Sequence, residues 1–244
     1  MRYIIHPAQK RGGGDYSWLK TRYSFSFSSW HDNERMSFGK LRVLNDDIVA
    51  PKSGFPTHQH ANFEIVTIVM SGVLTHQDSM GNAKEVREGE VQVMSAGSGV
   101  VHSEMNNTDK ELQLFQLWIE PDKHGVATRY DQKSFDTAER RNMWQIVVAA
   151  GNVPKSLMIH QNVRISLAEV SSGKPLSYII AYPQNAAYLF VIKGSIIVAG
   201  VTETLNDRDA VGIWNTDQFI VTAKNDASLL LIEVPLGEAV ERGS

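Results

Sequence analysis

Cysteine is absent from the 244 residues. That excludes a disulfide framework, a thiolate metal site and a cysteine nucleophile. No uninterrupted apolar run reaches the roughly 18 residues a transmembrane helix needs, so no segment is predicted to span a membrane. The start, Met1-Arg-Tyr-Ile-Ile-His-Pro, lacks an apolar stretch of signal-peptide length, and a reducing cytoplasm is the expected location. Excess basic charge is missing too. The net charge is −3, which argues against a general attraction to nucleic acid or an anionic membrane. Lys123, Lys133, Arg140 and Arg141 are too dispersed for a nucleic-acid stripe and read as a solvated face. Helical periodicity is scarce along the whole chain.

What remains is strand. With 42% hydrophobic and 21% charged residues the composition is that of an ordinary globular protein, long enough for one large or two small domains. Tyr23-Ser-Phe-Ser-Phe-Ser alternates aromatic and polar residues and predicts a half-buried strand with Tyr23, Phe25 and Phe27 inward. Leu41 to Pro51 predicts a strand interrupted by a turn at Asn45-Asp46-Asp47. Phe63 to Met70 is apolar and β-branched, as in a strand buried on both faces. Further strands are expected at 73–77, 91–94 and 112–119. The polar stretch Pro121 to Arg141 reads as a surface linker, after which short strands resume at 144–150, 160–169, 177–182, 187–193, 195–201 and 228–234. Short strands at this spacing suggest sandwiches or barrels. The halves share a loose template: Val69-Met-Ser-Gly-Val-Leu resembles Val191-Ile-Lys-Gly-Ser-Ile-Ile, and Glu88-Gly-Glu-Val-Gln-Val-Met resembles Asp209-Ala-Val-Gly-Ile-Trp.

Two clusters carry metal-binding chemistry. His58-Gln59-His60 and His102-Ser103-Glu104 each place two ligand types two residues apart, which on a strand is one face. Two such strands side by side would offer three imidazoles and a carboxylate to one point, a mixed nitrogen and oxygen set. Glu64 shares strand parity with His58 and His60 and competes with Glu104 for the fourth position. His76 reads as a hairpin-end residue with a local hydrogen bond, and His6, His31, His124 and His160 as surface or local structural residues. Met94 and Met105 read as packing residues. The second half holds His160 but no H-x-H pair, so a metal site is expected in the first half alone.

These residues resemble the cupin family. Gly54, His58, His60, Glu64 and Gly72 follow its first motif, with a shortened spacer after Gly54. Gly89, His102 and Asn106 follow the second, with Ser95 in the place of its proline. More narrowly the chain resembles the pirins, two-domain cupins, through Thr21-Arg-Tyr-Ser-Phe-Ser-Phe, Leu41-Arg-Val-Leu-Asn-Asp-Asp, Thr57-His-Gln-His, His76-Gln-Asp-Ser-Met-Gly-Asn and Met94-Ser-Ala-Gly-Ser-Gly-Val-Val-His-Ser-Glu. It departs from them at Ala61-Asn62, where many carry a basic residue and glycine or a similar pair, and at Tyr23, where histidine is common. The resemblance implies an all-β bicupin: a metal-binding cupin domain over 1–140, a cupin-like domain without metal over 141–236, and a flexible tail over 237–244. It implies iron(II) held by His58, His60, His102 and Glu104, although such ligands also suit Mn, Co, Ni, Cu or Zn.

The activity so implied is that of a quercetin 2,3-dioxygenase, opening a flavonol ring with O₂. Glu104 or Glu64 would then act as base, or Glu64 would orient a histidine or a bound water. Some pirins are described instead as regulatory proteins that bind a transcription factor. The alternative is therefore an iron-bound redox-sensing module read by a protein partner. The resemblance further suggests a monomer.

Overall fold

The runs of Val, Ile, Leu and aromatic residues fold as the β-propensities require. The computed structural model describes residues 1–237, in which 21 strands are joined by turns and two short 3₁₀ segments, Ala8–Lys10 and Thr137–Arg140. The expected tail, 237–244, lies outside the described residues except for Gly237.

The first part of the chain forms β1 (Arg2–His6), β2 (Gly12–Asp15), β3 (Leu19–Tyr23), β4 (Leu41–Val49), β5 (Ser53–His60), β6 (Glu64–Ser71), β7 (Val73–Asp78), β8 (Ala83–Arg87), β9 (Glu90–Ser95), β10 (Val100–Asn106), β11 (Leu112–Ile119) and β12 (Arg129–Ser134). The remainder forms β13 (Gln145–Ala150), β14 (Leu157–Ile159), β15 (Arg164–Val170), β16 (Pro175–Ile179), β17 (Asn185–Lys193), β18 (Ile196–Val198), β19 (Ala210–Trp214), β20 (Gln218–Ala223) and β21 (Ala227–Pro235).

Each half is a large sheet covered by a small one. In the first half the seven-stranded sheet β12-β9-β6-β11-β4-β3-β2 faces the four-stranded sheet β5-β10-β7-β8. In the second, β1-β19-β17-β21-β15-β13-β14 faces β16-β20-β18. The N-terminal strand β1 thus pairs with β19, and residues 2–6 complete the sheet of the other half. One apolar cluster joins the two large sheets, with Leu44, Val66, Phe115 and Leu117 from one and Tyr188, Phe190, Leu230 and Ile232 from the other. The rings of Phe115 and Phe190 meet edge to face at 5.5 Å. A strand between this core and its own barrel is buried on both sides, which is why β6 is buried from Glu64 to Val69 and mostly apolar.

The inner faces of the two barrels differ. In the second half Tyr178, Phe219, Val221, Ile196 and Leu205 fill the space under the small sheet. In the first, two apolar clusters, one around Leu74 and Leu112 and one around Ile65 and Met94, are separate from each other. Between them the register aligns a row of polar residues across the large sheet. Tyr23 pairs with Asn45, Asn45 with Gln116, Gln116 with Thr67, Thr67 with Gln92, and Gln92 with Gln132.

Four sequence expectations need correction. β4 runs unbroken through Asn45-Asp46-Asp47, because the two aspartates have partners inside the fold: Thr21 donates to Asp47, and Arg11 and Arg208 pair with Asp46. The expected linker 121–141 contains β12, which pairs with β9 at the sheet edge. The alternating stretch after Tyr23 leaves the sheet, although Phe25 is buried in the core between the halves. His6 is buried and its Nδ1 lies 3.0 Å from Tyr188 Oη.

Candidate metal centre

The site is built on β5, β7 and β10 of the small sheet. His102 lies opposite His58 and Val100 opposite His60, so the three imidazoles share one face by strand parity. A register shift follows His102, after which Glu104 lies opposite Phe55 on one side and His76 on the other. Such an irregularity re-aims side chains locally. His60, His102 and Glu104 are buried, whereas His58 is partly open.

Ligand atoms of His58, His60 and His102 all lie within 4.8 Å of one another. A second group, His76, His102 and Glu104, meets the same limit and shares His102 with the first. The three imidazoles expected from sequence therefore come together, while Glu104 meets His102 in the second group, where His76 joins them. His76 makes its expected local hydrogen bond, to Asp78 at 3.0 Å, but it is wholly buried against the cluster. Its signal was legible: His76-Gln77-Asp78 has the same two-residue spacing as the ligand pairs.

The donor set fits a metal ion. Burial, with the neighbouring imidazoles adding to it, lowers His60 to about 4 and His102 to about 3, so both rings are neutral at pH 7 and offer lone pairs. His58 Nδ1 lies 2.7 Å from the Pro56 carbonyl, which only accepts, so the proton sits on Nδ1 and Nε2 is bare. That bare Nε2 is 3.0 Å from His102 Nε2. Two imidazole nitrogens aimed at one another need a proton or a cation between them.

Glu104 is held from the opposite sheet by the polar row. Gln116 Nε2 donates to Oε2 at 2.6 Å, Gln92 Nε2 to Oε1 at 3.0 Å and Thr67 Oγ1 to Oε1 at 3.3 Å. All three partners donate, so the carboxyl group serves as acceptor in a site with almost no access to water. Beside His60 stands an aromatic group: Trp118 at 4.7 Å, with Phe63 and Phe27 packed on Trp118 at 5.5 and 5.3 Å and Tyr23 on Phe27 at 5.2 Å.

Glu64 is placed elsewhere. Its carboxylate accepts from Ser95 Oγ at 2.9 Å and meets His160 Nδ1 at 3.2 Å, and it belongs to neither metal-binding group. It does engage a histidine, but one from the second half. The strand parity that linked Glu64 to His58 does not survive the corner between β5 and β6, where Asn62 has φ 54°. His160, read from sequence as a surface or local residue, is half-buried and ties the two halves together through Glu64 and Ser95.

Asp47 is a further buried carboxyl group of this barrel. Burial, opposed by the Thr21 hydroxyl and reinforced by Asp46 and Glu104, pushes it up to about 7. Between its ordinary value and about 7 the unfolded chain is ionised there and the folded chain is not, so this group removes stability as pH rises through that window. Asp47→Asn, neutral in both states, is expected to match the parent in urea unfolding at pH 4 and exceed it by a few kcal/mol at pH 8. Equal differences at both pH values would contradict the assignment.

A double-layered β fold in each half, with histidines on adjacent strands of one small sheet, defines a bicupin with one candidate metal centre among the described residues. Comparison with known proteins narrows the class. The pirin family profile matches residues 5–119, and that of the quercetinase C-terminal cupin domain matches residues 146–234. A pirin-like protein of Caulobacter vibrioides is 39% identical over 93% of this chain and 97% of its own length. The quercetin 2,3-dioxygenase of Escherichia coli K12 is 35% identical over 95% and 98%. The crystal structure of the bacterial pirin YhhW from Escherichia coli in complex with nickel(II) superposes with a TM-score of 0.89, at 34% identity over 96% of this chain and 99% of that one. The chain belongs to the pirin family.

Proposed function

We propose that the protein is a metal-dependent dioxygenase that opens the ring of a flavonol such as quercetin with O₂, using iron(II) held by His58, His60, His102 and Glu104. The observation that carries this reading is the cluster of His58, His60 and His102 beside an aromatic wall, with the buried Glu104 grouped with His102 and His76. The relative named as a quercetin 2,3-dioxygenase and the nickel complex of a pirin support it from outside the chain.

A divalent ion in this site would supply Lewis acidity to a substrate hydroxyl and an open position for the reaction with O₂. The chain's own residues do the rest. His60 and His102 stay neutral at working pH and so remain ligands rather than competing cations. Trp118, Phe63 and Phe27 offer flat apolar surface against which an aromatic ring can lie. Glu104 takes the proton of the flavonol 3-hydroxyl as general base. Gln92, Gln116 and Thr67 keep its carboxylate from turning away. Glu64 has the structural task of joining the halves.

The test is O₂ uptake by protein loaded anaerobically with iron(II), with and without quercetin, beside a His102→Ala/Glu104→Ala variant. Uptake that requires both the flavonol and the intact ligands is expected. Absence of uptake with iron bound stoichiometrically would overturn the dioxygenase and favour the redox-sensing module.

A further inference from the structure

Two buried nitrogens near the cluster have no hydrogen-bond partner: His102 Nδ1 and His76 Nδ1. Unpaired polar atoms at such depth are rare, and each asks for an explanation. His76 is 0% and His102 2% exposed, so bulk water does not serve either ring. The rings are neighbours, with centroids 5.4 Å apart, and one ligand atom of each lies within 4.8 Å of the other.

The protonation of His76 is fixed on its far side. Its Nε2 meets Asp78 Oδ2 at 3.0 Å. Asp78 also accepts from the backbone N–H of Met80 and of Asn82, and from Asn82 Nδ2. A carboxylate surrounded by donors is itself an acceptor, so His76 Nε2 carries the proton. In the neutral ring Nδ1 is then a bare acceptor. His102 has the complementary requirement. Once its Nε2 lone pair, the one aimed at His58, is given to a metal, its proton must sit on Nδ1, and that N–H needs an acceptor.

We propose that His76, held by Asp78, accepts the Nδ1–H of His102, directly or through one water, and so makes Nε2 the metal-binding nitrogen. This inference rests on His102 being a metal ligand. Asp78, His76 and His102 then form a line from the β7 turn to the site, and His76 is a positioning residue. Metal-ligating histidines usually pass their second N–H to such a group, and loss of it typically weakens metal binding 10–100-fold. The register is suited to this: Asp78 lies opposite His102 and His76 opposite Glu104 on adjacent strands, so the small sheet carries ligands and support together.

The experiment uses the full chain with zinc(II) as a diamagnetic probe. Long-range ¹⁵N NMR of the zinc-loaded parent is expected to find His102 protonated on Nδ1, and His76 protonated on Nε2 alone. Zinc affinity, measured by competition with a chelator, is expected to fall 10–100-fold in His76→Leu. Part of the loss should return in His76→Gln, whose amide oxygen can accept. A zinc-loaded parent in which His76 carries a proton on Nδ1 would overturn the proposal, whether or not the variants fold. So would a folded His76→Leu that binds zinc as tightly as the parent. If the parent itself binds no zinc, iron(II) or nickel(II), the ligand-set reading fails and this inference falls with it. If the parent binds and only the His76 results fail, the ligand set stands.

Discussion

Replacing Glu104 with glutamine is expected to lower quercetin-dependent O₂ uptake by at least about a hundredfold, the lower end of what a positioned base contributes. The shape of the side chain is nearly unchanged, so the effect is chemical. Glutamine has no negative charge to offset a divalent ion and no basic oxygen to accept the flavonol proton. It also brings an NH₂ group into a setting where Gln92, Gln116 and Thr67 all donate, so that hydrogen bonding must rearrange to receive it. Glu104→Ala goes further and leaves those donors without their acceptor in a site sealed from water. That variant is expected to lose roughly 3–5 kcal/mol of stability in urea unfolding as well as its turnover. Retained uptake in Glu104→Gln, with iron bound as in the parent, would remove Glu104 from the chemistry.

The second large effect is expected far from the metal centre. Glu233 on β21 is fully buried and accepts from Tyr178 Oη at 2.7 Å, from the backbone N–H groups of Ala181 and Tyr182 at 2.9 Å each, and from Asn185 Nδ2 at 3.1 Å. One carboxylate thus secures the connection from β16 to β17. Glu233→Leu leaves these donors unpaired in an apolar interior and is expected to destabilise the protein by roughly 3–5 kcal/mol. The loss should be felt by the whole chain. The core between the large sheets draws on both halves, and β1 is bonded into the second sheet, so one cooperative unfolding transition at a lower midpoint is expected. Fluorescence and far-UV circular dichroism followed together against urea would check it. Two separated transitions would mean that the halves unfold independently.

The candidate metal centre is legible in the chain because its grammar is local. His58 with His60, and His102 with Glu104, are each two residues apart on one strand, and strand parity carries that spacing directly into a shared face. The all-β class was legible for the same reason, since runs such as Phe63 to Met70 have no other comfortable state. The polar row left a faint trace: Thr67, Gln92 and Gln116 each stand alone among apolar neighbours, but sequence does not say that they meet.

Other residues were misread where the partner is distant. Asn45-Asp46-Asp47 has turn composition, yet Thr21, Arg11 and Arg208 satisfy its two aspartates within a continuous strand. His6 finds Tyr188 across 182 positions, and Glu64 finds His160 across 96.

The sequence by itself determined most of the strands, the candidate ligand types and their spacing, because backbone geometry converts near neighbours into neighbours on a face. Only the tertiary structure shows that Glu104 lies against His102 and His76 while Glu64 turns to His160, that His76 is held by Asp78, and that β1 completes the far sheet. Those outcomes depend on which strands pair and in what register, and register is set by burial summed over the whole barrel rather than by any one segment.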